Sequence, residues 1–109
     1  MKEFQRRRAE EMFPILVGRV KNKMKELRAL EARINHFESA RTSSDELRTL
    51  NFEFLRLKGE LVSLDGSMSQ MLRYDADMFS NLNSILQSMI LELEKLQLRI
   101  LCLRSAGPI

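Results

Sequence analysis

Apolar residues recur along this chain at steps of three and four, and two short polar stretches divide them into three runs. The first run is Phe13, Val17, Val20, Met24, Leu27, Leu30, Ile34 and Phe37, which places one apolar face on a helix over 13–38. Pro14 suits a first turn, and the residue before a proline avoids helical angles, so Phe13-Pro14 predicts a helix start or a kink. "SARTSSDE" then interrupts the rhythm, and Ser43 with Glu46 has capping-box spacing, predicting a second helix over 44–65. Its stripe, Leu47, Leu50, Phe54, Leu57, Leu61 and Leu64, keeps heptad spacing, and Gly59 lies off it.

The second break is "DGS". Gly66 suits the left-handed residue after a helix terminus, and Ser67 with Gln70 can cap a third helix over 68–104. That helix carries Met71, Met78, Leu82, Ile85, Met89, Leu93, Leu96, Ile100 and Leu103, widened by Phe79, Leu86 and Ile90. The pattern predicts an all-α, up-down-up three-helix bundle over 13–104, with a charged segment at 1–12 and a tail at 105–109. At 1.5 Å per residue the second helix spans roughly 30 Å and the third roughly 50 Å, so the third should project. Its overhang would carry Leu93, Leu96, Leu98, Ile100, Leu101 and Leu103 toward another chain, an oligomer surface.

Composition agrees with few, long elements, because only four Gly and two Pro are spread over 109 residues. Net charge is +3, and the excess is N-terminal: residues 1–38 hold ten Lys/Arg against six acids, whereas the remainder is nearly balanced. No apolar run approaches the roughly 18 residues of a membrane span. A single cysteine, Cys102, fits a reducing compartment, so an intracellular, cytoplasmic protein is expected.

Chemistry is thinly represented. His36 is the only histidine, Asp75 and Asp77 point about 200° apart on a helix, and the glycines at 18, 59, 66 and 107 form no phosphate loop. Catalysis, a metal site and a cofactor are therefore not expected. The basic residues Arg6, Arg7, Arg8, Arg19, Lys21, Lys23, Lys25 and Arg28 are interleaved with Glu3, Glu10, Glu11, Glu26 and Glu31 and lack an aromatic platform, so nucleic acid is not an expected partner. Of methionines 68, 71, 78 and 89 on the third helix, at least three read as gap-filling core residues.

Two stretches, "LEARINHFE" at 30–38 and "ELVSLDGS" at 60–67, resemble the BAG domain, a three-helix co-chaperone module that binds the ATPase domain of heat-shock chaperones. The resemblance covers roughly residues 20–98. It implies a non-enzymatic interaction module whose partner contacts come from helix-two acids, Asp65 with Glu53 or Glu60, and from Arg73 and Gln87 on the third helix. Where the family has a basic cluster early in helix three, "LRYDADMFSNLNSILQ" supplies Arg73 alone. Asp65-Gly66 is also sufficiently explained as a helix end; its role toward a partner comes from the resemblance. The competing expectation is a coiled-coil scaffold that homo- or hetero-oligomerises.

Overall fold

In a computed structural model, which describes residues 3–40 and 44–105, the chain forms three helices and no strand among those residues. These are α1 (Glu3–Ala40), α2 (Ser44–Tyr74) and α3 (Ala76–Ser105). The bundle is a rod with Cα extents of 59 × 18 × 18 Å. Cross-helix bonds fix the topology. Between α1 and α2 the sequence separation of bonded pairs falls from 48 (Arg19–Ser67) through 37 (Lys23–Glu60) to 13 (Arg33–Glu46), as antiparallel helices require. Between α1 and α3 it stays at 64 (Arg28–Glu92), 64 (Arg99–Asn35) and 61 (Arg99–Glu38), so those two run parallel.

One seam organises all three helices. The buried residues of α2 are Leu50, Phe54, Leu57, Leu61, Leu64, Met68 and Met71, and those of α3 are Phe79, Leu82, Leu86, Met89, Leu93, Leu96, Ile100 and Leu103. Both series alternate steps of three and four without a skip, the spacing of knobs-into-holes packing. In α1, Ala9, Leu16, Val20, Leu27, Leu30, Ile34 and Phe37 are buried and no polar residue is buried among the described residues. The α1 series skips one step between Ala9 and Leu16, where Met12 and Phe13 are partly buried, and one between Val20 and Leu27, where the heptad position is Lys23.

Helix two differs from the sequence expectation. It does not end at Asp65-Gly66 but continues for more than two further turns to Tyr74. Gly66 is exposed on the outer surface, with nothing within 4 Å of where a Cβ would stand and no left-handed backbone. A glycine inside a helix costs about 1 kcal/mol relative to alanine, whereas burying a large apolar side chain contributes about 1.5–3 kcal/mol. Carrying the helix on to Met68 and Met71, both fully buried, outweighs the local stop signal. Ser67 and Gln70 consequently lie inside α2 and cap nothing. Met68 and Met71 belong to α2 and are core residues with Met89, while Met78 is partly buried.

The real turn is one residue long. The Asp75 N–H donates to the Met71 carbonyl at 2.9 Å, closing α2, and the Asp75 carboxylate accepts the Met78 N–H at 3.0 Å, capping α3. With the turn moved from 66 to 75, α2 and α3 have 31 and 30 residues. The projecting third helix is thereby corrected: Leu93, Leu96, Ile100 and Leu103 are at most 5% exposed, packed in the core against α1 and α2.

Helix one also starts earlier than expected, with Pro14 inside it. An interior proline removes one backbone bond and costs about 3 kcal/mol. Here its ring is exposed, and the helix is anchored on both sides of it: Leu16 is fully buried and Phe13 meets Phe79 edge-on at 5.5 Å. That contact lies near the start of α3, so Glu3–Arg8 extends past the α2–α3 turn. The overhang is thus the N-terminus of α1. Ser43 of the expected capping box and the 106–109 part of the tail lie outside the described residues; α2 starts at Ser44.

Gly66→Ala discriminates between a helix interior and a turn. In dilute solution it should raise the denaturation midpoint, by about 0.5–1 kcal/mol, without changing the m-value. A loss of stability would mean that the chain reverses at Gly66.

Candidate functional site

The three seams of the bundle differ in chemistry. Along α1/α2, Arg33 pairs with Glu46 at 3.0 Å and with Glu53, Lys23 pairs with Glu26 at 2.7 Å and with Glu60, and Arg56 reaches Glu60 at 2.7 Å and Glu26 at 3.4 Å. Lys23 stands at a core heptad position. Its stem follows the seam while the ammonium reaches the carboxylates at the rim, leaving its side chain 21% exposed. Along α1/α3, Arg28 pairs with Glu92 at 2.7 Å and Arg99 with Glu38, while Val17, Met24 and Ile85 line an apolar groove further toward the α1 N-terminus.

The α2/α3 seam is different. No ion pair joins these helices among the described residues, and their polar link is a hydrogen bond from Gln87 Nε2 to Asp65 Oδ1 at 2.8 Å. Beside that bond runs a groove of about 470 Å³ lined by Lys58, Val62, Asp65, Ile90, Glu94 and Leu98, among others. A second depression continues it past Leu55 and Leu101. Leu55, Val62, Leu91, Leu98 and Leu101 are 45–64% exposed on this side, where a soluble helix would ordinarily carry charge.

The residues expected to meet a chaperone do not form one face. Glu53 and Glu60 are held by Arg33 and Lys23 in the α1/α2 seam; Asp65 and Gln87 are hydrogen-bonded to each other on the α2/α3 side; Arg73 is exposed in the last turn of α2, not on the third helix. "ELVSLDGS" does not end helix two. Of the expected oligomer residues, Leu98 and Leu101 are exposed, at 64% and 45%; Leu93, Leu96, Ile100 and Leu103 are occupied by the intramolecular core. The stripe pattern misses Leu55, Val62 and Leu91. Their signal is present in the sequence: Leu55 and Val62, like Leu91 and Leu98, are seven residues apart and off the main stripe.

His36 and Cys102 are exposed on separate helices, and no group of three or more His, Cys, Asp or Glu side chains converges as for a metal among the described residues. The basic residues of α1 are dispersed by pairing, Arg7 to Glu3, Lys23 to Glu26 and Glu60, Arg28 to Glu31 and Glu92. No described helix is long and apolar enough to cross a membrane. No family model, no curated protein and no solved structure matches this chain.

The Lys23 clamp makes stability pH-dependent. Hydrogen bonding to Glu26 and then to Glu60 raises the Lys23 pKa against the opposing effect of burial. The hydrogen bond from Lys23, followed by the charges of Lys23 and Arg56, holds the Glu60 carboxyl below its ordinary value. A depressed carboxyl stabilises the fold at pH above its unfolded value, about 4.3, and that contribution is lost as pH falls through the lower folded value. Denaturant midpoints measured from pH 6 downward should therefore fall below about pH 4, and Glu60→Gln should flatten part of that slope. An unchanged slope in the variant would remove Glu60 from the acid transition.

Proposed function

We propose that this chain is a non-enzymatic helical interaction module that docks another protein on its α2/α3 face. The observation that carries the reading is the contrast between seams: α1 is tied to both neighbours by ion pairs, whereas α2/α3 presents Leu55, Val62, Leu98 and Leu101 around an open groove. Burying such side chains against a partner would contribute about 25 cal/mol per Å² of apolar area, minus the cost of association. A three-helix rod of this kind has a simple way to take a partner: an added helix, laid along the groove, continues the same side-chain interdigitation.

A chaperone ATPase domain is a second candidate for the same face, in competition with another copy of the chain. What favours it is the pairing of Asp65 with Gln87 at the edge of the groove, since both are residues that the BAG resemblance implicates. On this reading the two polar groups anchor the partner and the flanking leucines supply the buried area.

Light scattering behind size exclusion tests both levels, on the chain alone and with an equimolar heat-shock chaperone ATPase domain. Association with either a second copy or the ATPase domain is expected, and Val62→Glu and Leu98→Glu should abolish it. Because both residues are exposed, each variant should keep the helical signal and, at concentrations where the parent is monomeric, a stability within about 0.5 kcal/mol of it. Association that survives both substitutions would put the docking surface elsewhere. For the chaperone version, Asp65→Ala and Arg73→Ala should each weaken the complex; an ATPase domain that fails to bind, or binds both variants unchanged, refutes it.

A further inference from the structure

We infer that the occupant of the α2/α3 face is a second copy of this chain, related by a two-fold axis parallel to the helices; this rests on the docking reading above. The Gln87–Asp65 bond sets those residues at one level of two antiparallel helices. Seven residues along each helix, Lys58 is level with Glu94, and by the same count Leu55 is level with Leu98 and Val62 with Leu91, to within a residue. A two-fold axis parallel to the bundle leaves every level unchanged while placing α2 opposite the α3 of the other copy. It therefore brings Lys58 to the Glu94 of the second copy, and Leu55 and Val62 to its Leu98 and Leu91, twice over.

Charge selects this arrangement over its rival. A two-fold perpendicular to the helices that set Leu55 against Val62 of the second copy would also bring Glu94 against its own equivalent, a like-charge contact. Neither Lys58 nor Glu94 takes part in an ion pair within the chain among the described residues. Gly59 and Gly66 fit the same picture: both lie on the outer surface of α2, flanking Val62, with open space above them into which a leucine of the second copy can settle.

The test is light scattering over a concentration series on the full chain and on Lys58→Glu, Glu94→Lys and the double variant, with helicity checked for each. The expected result is a dimer of the 12.8 kDa chain, weakened about tenfold or more by either single reversal and recovered to within about threefold by the double exchange. A chain that stays monomeric throughout overturns the second copy as occupant, and the ATPase titration then decides the docking reading separately. A dimer that Val62→Glu dissociates but the double exchange does not restore overturns the two-fold arrangement and leaves the face intact. A dimer indifferent to Val62→Glu overturns both.

Discussion

The uninterrupted alternation of three and four in the buried residues is the constraint on which everything else in this structure depends. Because α2 keeps that spacing from Leu50 to Met71 and α3 from Phe79 to Leu103, each layer of one helix meets a layer of the next. The core has no interior break where a turn could sit. Between α2 and α3 the chain reverses where the seam pauses, between Met71 and Phe79, and Asp75 serves both helix ends there. The lengths of α2 and α3 and their level relative to each other follow from that single point.

With the core purely apolar, specificity falls to the rims. Leucine layers are tolerant of sliding, and a shift by one heptad would bury nearly the same surface. What distinguishes the observed level is Lys23, a cation at a seam position of α1 that finds Glu60 on α2 while also pairing with Glu26 of its own helix. Arg33 with Glu46 and Glu53 fixes the same level nearer the α1 C-terminus, and Arg28 with Glu92 and Arg99 with Glu38 do so for α3. Exposed pairs of this kind add little stability each. Their value is in register, because a slipped α1 would take Lys23 away from Glu60 and leave it only the carboxylate of its own helix.

The same distribution leaves one side open. Ion pairs hold α1 to the hairpin, while α2 and α3, tied by their one-residue turn, need no charge to find one another. Their outer side is free to carry leucine and valine, which is the composition of a contact surface and not of a solvated helix face. The asymmetry between α1 and the α2–α3 hairpin is thus both a folding feature and the basis for reading the protein as an interaction module.

How much of this is legible in the sequence differs from element to element. Three helices and the Leu50–Leu64 stripe follow from periodicity, because burial of an apolar stripe is the dominant driving force of folding and a single chain displays it openly; the antiparallel pairing of the last two follows from the shortness of the break between them. The turn is harder to place because "DGS" is a local cue worth about 1 kcal/mol, and it competes with two methionines whose burial is apparent only once a third helix covers them. Lys23 is hidden behind Met24 because both complete a run of threes and fours between Val20 and Leu27. The sequence by itself therefore determined the helical class and most of the core. The tertiary structure alone decided the levels of the helices, which sent Glu53 and Glu60 to one seam and Asp65 to another, and so which residues are left facing out. That separation has a physical reason: periodicity specifies which side of a helix is buried, but level is set by long-range pairing between rim charges, and no window of sequence contains both partners.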